Sequence, residues 1–128
     1  MQNSESVSKV ALWTGRILSA LSALTLIAFG LIGLLNQKEA LPPFLKYGYP
    51  ASAFVPIIVV EIACGVIYAI PPTSVFGAIL ITGYLGGATS THVRAGEPPI
   101  MAIAVAVVAW LGIWLREPRL RALTPFRK

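Results

Sequence analysis

The sequence predicts an all-α membrane protein, an up-down bundle of four transmembrane helices. Three observations predict it. The 128-residue chain is 56% hydrophobic and only 12% charged, with a mean hydropathy of +0.78, and so few charges cannot coat a soluble domain of this size. Four apolar runs come close to the length of about 20 residues that crosses about 30 Å of hydrocarbon. The basic residues behind the net charge of +5 collect at the ends of those runs, where membrane topology signals sit. They form no aromatic-interleaved patch on a polar domain, which excludes nucleic acid as a partner.

Residues 1–9, MQNSESVSK, are polar and expected to be disordered. The first span covers about 11–35. Its apolar run is too long for a signal-peptide core and no cleavage site follows, so it is expected to be retained. The loop NQKEALPPFLKYGYP carries three prolines and is expected to lie on the bundle as a cap or interfacial segment. The second span, about 51–70, is closed by Pro71 and Pro72. Little more than PPT separates it from the third, about 73–91, which forces an antiparallel pair. Glycine is frequent in that third span, and helices in lipid tolerate it. The fourth, about 99–115, opens with proline in its first turn. Residues 10–116 thus form one transmembrane domain. The basic tail, 117–128, is expected to rest on anionic headgroups.

An even number of spans puts both termini on one side. That side carries Lys9, Arg16, Arg116, Arg119, Arg121, Arg127 and Lys128, against Lys38, Lys46 and Arg94 on the other. The bias places both termini in the cytoplasm and the chain in the cell (inner) membrane. Trp13, Trp110 and Trp114 then mark the inner interface, and Tyr47 and Tyr49 the outer one.

Helices in lipid associate where small residues let backbones approach. Gly83, Gly86, Gly87 and Ser90 fall on one stripe of the third span, and Gly83 to Gly87 is a GxxxG that could also serve a homo-oligomer. Ser19, Ala23 and Gly30 share a face of the first span with Arg16. Ala102, Ala106 and Ala109 do the same in the fourth.

Glu61 lies nine positions from Ile70 and ten from Ala51, near the bilayer midplane. Its insertion costs about 3 kcal/mol, against about −0.3 to −0.6 for each strongly apolar neighbour. The helix can carry the acid only if it faces inward, is protonated or is paired. Counted from the span ends, Arg16 is about 8 Å and Glu61 about 14 Å from the inner surface, a gap an arginine can bridge. Tyr84 reaches nearly the depth of Glu61 and could hydrogen-bond to it. The readings are a structural ion pair or a polar intramembrane site. His92 belongs to the outer rim, about 15 Å above Glu61. With Arg94 it could hold a headgroup, a partner's acidic group or a ligand's polar end, or it could cap the helix end beneath GEPP. No second His or Cys stands at ligand spacing, so no metal is expected. The lone Cys64 allows no internal disulfide and no dithiol chemistry. No haem, flavin or iron–sulfur motif is present, so no cofactor is evident.

Four stretches carry a resemblance: WTGRILS (Trp13 to Ser19), VEIACGVIYAIPPTSVFGAIL (Val60 to Leu80), GYLGGATSTHVRAGEPP (Gly83 to Pro99) and WLGIWLREPRLRALTPFR (Trp110 to Arg127). The second-span glutamate and the GGA-T-x-HVR-x-G segment are its specific parts. On these the chain resembles the DoxX-like family of small four-span membrane proteins. The family is named for a membrane subunit of a thiosulfate-to-quinone oxidoreductase. Relatives are associated with oxidative-stress complexes and receptor assembly. The resemblance implies a scaffold with Arg16, Glu61, His92 and Arg94 on motif positions. Some redox-associated relatives carry cysteine pairs that this chain lacks.

Three functions compete. The first is a ligand-binding or accessory subunit of a membrane redox system, with a quinone or lipid near Glu61 and Tyr84 and electrons supplied by a redox protein partner. The second is an intramembrane isomerase-type enzyme on a small apolar substrate, with Glu61 as the catalytic acid or base. The third is a structural or assembly factor with a filled core.

Overall fold

The computed structural model describes residues 7–127. Most of the N-terminal segment expected to be disordered therefore lies outside the described residues. Among those residues the chain is helical, with no strand. The helices are α1 (Lys9–Leu35), α2 (Gln37–Leu45), α3 (Phe54–Ala69), α4 (Ser74–Arg94), α5 (Ile100–Arg116) and α6 (Pro118–Leu123). Two segments, Lys9–Leu35 and Ala51–Ala69, are long and apolar enough to cross a membrane, and Ile100–Arg116 is apolar but shorter. α1 packs on α3 and α5, and α4 packs on the same two helices, so the four long helices enclose one core.

The α3–α4 turn follows from proline chemistry. Pro71 and Pro72 have no N–H to donate to the carbonyls of Ile67 and Tyr68, four residues back. Two hydroxyls take their place: Thr73 Oγ1 donates to Ile67 O at 2.7 Å, and Ser74 Oγ to Tyr68 O at 2.8 Å. The chain then folds straight back. Gly77 lies so close to Tyr68 that a Cβ would stand 2.4 Å from its backbone.

Tyr68 is fully buried. Its hydroxyl donates to Ala109 O of α5 at 2.6 Å and lies 2.9 Å from Ser19 Oγ of α1. At the same level α1 and α5 touch backbone to backbone: a Cβ on Gly15 would meet Gly112 O at 2.6 Å, and one on Gly112 would meet Ser19 N at 2.8 Å. Tyr68 thus contacts all three of its neighbouring long helices. The expected small-residue faces are buried here, at Ser19, Ala23 and Gly30 in α1 and at Ala102 and Ala109 in α5.

The Gly83/Gly87 stripe behaves differently from the packing face expected of it. A Cβ at Gly83, Gly86 or Gly87 would meet nothing within 4 Å. α4 packs instead through Ser74, Gly77, Ala78, Ile81 and Leu85. Gly83 stands two residues beyond Ile81, about 200° around the helix at 3.6 residues per turn, so it points away from that seam.

The tail folds back on the bundle. Leu120 is buried in the core cluster, Arg121 Nε donates to Trp114 O at 2.8 Å, and its Nη2 donates to Leu115 O. Trp114 Nε1 donates to Thr124 O at 3.1 Å. Arg121 therefore satisfies carbonyls that the end of α5 leaves open.

This packing sets a contrast between glycines. Gly77→Ala forces a methyl into the Tyr68 backbone and should cost about 2 kcal/mol or more. Gly83→Ala should leave stability within about 0.5 kcal/mol. Thermal unfolding of both variants in one detergent checks the pair, and equal losses would refute the seam described here.

Candidate functional site

The segment after α4 is built by a helix-ending turn. Gly96, at φ +77°, takes the left-handed conformation. Gly96 N then donates to Val93 O at 3.1 Å, and Glu97 N to His92 O at 2.9 Å, the two bonds of a Schellman cap. That cap carries Glu97 back over the last turn of α4, where its Oε2 accepts from His92 Nδ1 at 3.0 Å.

A tyrosine from the first loop completes the cluster. Tyr47 Oη donates to the same Glu97 oxygen at 2.7 Å, and its ring meets the His92 ring edge-on at 5.3 Å. Arg94 Nη2 donates to Tyr47 O at 2.9 Å. Two residues on, Tyr49 Oη and Thr91 Oγ1 are 2.6 Å apart. Phe44 stacks on Tyr49 and meets Phe54 edge-on. His92, Arg94, Thr91 and Glu97 thus staple α2 and its following loop over the end of α4.

Beneath the staple is a cavity of about 340 Å³, whose walls include Phe44, Tyr47, Tyr49, Ile57, Tyr84 and His92. Gly83 and Gly87 form part of its wall, which explains why no side chain packs against them. Tyr84 stands at its inner end, and the Tyr84 hydroxyl neighbours the Glu61 carboxyl. Phe44, three tyrosines and an imidazole share its lining with small residues and Ile57.

Sequence depth brought Tyr84 to Glu61, and the structure brings them together. It does not bring Arg16 to Glu61. Arg16 lies over the Trp13 ring, 5.1 Å from its centroid, and no ion pair joins it to Glu61 among the described residues. The cause is helix register. α1 starts below the α3–α4 turn, so that Ser19 faces Tyr68. From that level Glu61 lies seven residues up α3 and Arg16 three down α1, an axial gap of about 15 Å rather than about 6 Å.

Glu97, Phe44 and Thr91 were not among the sequence candidates. A signal for Glu97 exists in the spacing H-x-x-x-G-E, where a glycine just past a helix end predicts the fold-back. The landing point of Tyr47 on it, across 50 residues, leaves no local signal.

The sequence model of the DoxX-like family matches residues 17–114. The chain belongs to the DoxX-like family. No curated protein and no solved structure matches the chain. The match takes in Glu61, Tyr84, His92 and Arg94, and it begins one residue after Arg16. Membership and the apolar helices together point to a membrane location for this DoxX-like chain.

The staple is pH-sensitive on its acid side. The hydrogen bond from Tyr47, followed by that from His92, holds the Glu97 carboxyl below its ordinary 4.5, and the same bond raises Tyr47. A lowered folded-state value means that the ionised Glu97 favours the closed loop above the ordinary carboxyl range and loses that effect as pH falls through the lowered value. Protection of the amides of residues 44–49, taken relative to their intrinsic exchange rates, should therefore fall as pH drops below the ordinary carboxyl range. Glu97→Gln should show the lower protection at neutral pH. Protection that is insensitive to both changes would refute the staple.

Proposed function

We propose that the protein is a multi-pass protein of the cell (inner) membrane whose four spans, α1, α3, α4 and α5, form an up-down bundle with both termini cytoplasmic. In that bundle it binds a small planar apolar ligand of the quinone class, as an accessory subunit to a redox protein partner. The carrying observation is the aromatic cavity closed by the α2 loop, with the Tyr84–Glu61 pair at its inner end. A quinone presents a flat ring with a carbonyl at each end. Aromatic walls accommodate the ring, and the Tyr84 hydroxyl can donate to one of the carbonyls.

Four spans are supported by what the helices expose. α4 turns Val75, Phe76, Ile79 and Val93 outward, and α5 turns Ile100, Met101, Ile103, Val107 and Leu111 outward. α1 and α3 do the same with Leu21, Leu24, Phe29, Val59 and Val60. An apolar girdle on all four helices suits hydrocarbon and not water. Labelling of Arg127→Cys and Pro98→Cys in sealed vesicles should find them on opposite faces. Both on one face would refute the four-span arrangement.

The isomerase reading needs Glu61 to reach a substrate. Tyr84 lines the cavity wall and Glu61 stands behind it, which favours binding over acid–base turnover. The assembly-factor reading needs a filled core, which the cavity does not support.

Titration of the detergent-solubilised protein with a short-chain quinone tests the binding. Gly87→Leu fills the cavity where there is open space, so it should fold and weaken binding more than about tenfold. Tyr84→Phe removes one donor and should weaken it about fivefold. Unchanged affinity in Gly87→Leu would overturn the assignment.

A further inference from the structure

A second cavity, also about 340 Å³, lies at the opposite end of the molecule, where α1 and α5 bring Arg16 and Arg116 into one lining. We propose that it is a binding site for an oxyanion of the phosphate type carried on a lipid: an anionic phospholipid seated between α1 and α3. This site is separate from the outer cavity and does not depend on the quinone reading.

Arg116 is held in place and left incomplete. Its Nη2 donates to Ser74 Oγ at 3.0 Å, the hydroxyl that closes the α3–α4 turn. Its Nε is buried and has no hydrogen-bond partner. A guanidinium offers five donors in a planar fork matched to phosphate and carboxylate oxygens. A buried donor left unmet is costly enough that such groups are rare. Sequence reading had Arg116 only as one of the charges that set topology.

The cavity is lined by two arginines and by no acid. Among the described residues neither Arg16 nor Arg116 makes a salt bridge. Glu117, next to Arg116 in the chain, accepts from Arg119 Nε at 3.1 Å. The Tyr68 hydroxyl, the other polar group nearby, is taken up by Ala109 O and Ser19.

The remaining wall separates a lipid from a free ion. Ala20, Ala23, Leu24 and Ile27 run up α1 away from the arginines. Ala20, Leu24 and Ala69 are exposed, so the cavity opens sideways onto the apolar girdle. A charged end and an apolar flank open to the bilayer fit a headgroup with an acyl chain. Inorganic phosphate would use only the first.

The test uses the full-length, delipidated protein in mild detergent, titrated separately with phosphatidylglycerol, phosphatidylcholine and inorganic phosphate. Binding is followed by native mass spectrometry and thermal shift. Phosphatidylglycerol should bind about tenfold tighter than phosphatidylcholine, and Arg16→Gln should remove most of that preference. Arg116→Lys should keep the preference in part, because it retains the charge and loses the fork. Arg116→Gln could fail through its Ser74 contact, so Arg16, whose guanidinium stacks on exposed Trp13, carries the decision. Equal affinity for the two lipids, or a preference that survives Arg16→Gln, would overturn the proposal. Stabilisation by inorganic phosphate equal to that by phosphatidylglycerol would overturn the lipid assignment.

Discussion

The fold depends on the burial of one phenol. Tyr68 stands where α1, α3, α4 and α5 converge, and each helix meets it differently. α5 supplies a carbonyl and α1 a hydroxyl, while α4 supplies a glycine that lets the backbones touch. In hydrocarbon there is no general drive for apolar helices to associate, because lipid tails are as apolar as leucine. Specific short contacts must therefore set register. A polar group that cannot be solvated elsewhere is an effective way to do so, since every shifted register leaves it unmet.

The same constraint governs the other hydroxyls. Ser22, Thr25, Thr82, Thr89 and Thr91 each return a hydrogen bond to a carbonyl one turn back. Thr73 and Ser74 stand in for the N–H groups that the prolines lack. Polar groups left free of backbone duty are few, and they segregate. Phenols and an imidazole line one cavity, and two guanidiniums border the other. The two ends of the molecule thus present different chemistry.

Much of this was legible in the sequence, and the failures share a cause. The apolar runs and the PPT turn reveal their helices because hydrophobicity and proline act locally. The Glu61–Tyr84 meeting was readable because α3 and α4 are joined by so short a turn that depth along one predicts depth along the other. Arg16 was misplaced because counting from the end of an apolar run assumes that all helices start at one level, and α1 starts lower. Gly83 and Gly87 misled because small residues mark either a close approach or an open floor, and their spacing is the same in both. The Tyr47–Glu97 contact was invisible because it depends on where a long loop lands. The unmet Nε of Arg116 emerges only once the neighbours are in place.

The proline turn has a mechanical consequence. With both hydroxyls locked onto Ile67 and Tyr68, and Gly77 seated on Tyr68, α3 and α4 are clamped at one end like the closed end of a pair of tweezers. The cavity beside Tyr84 is walled by the far half of α4 and by the α2 loop, with Ile57 from α3, so the clamp sets the position of one wall and the staple over the end of α4 sets the other. Helices held this way resist splaying at the clamped end. Under the binding proposed above, a slot between one clamped wall and one stapled wall would admit flat molecules more readily than bulky ones of equal polarity.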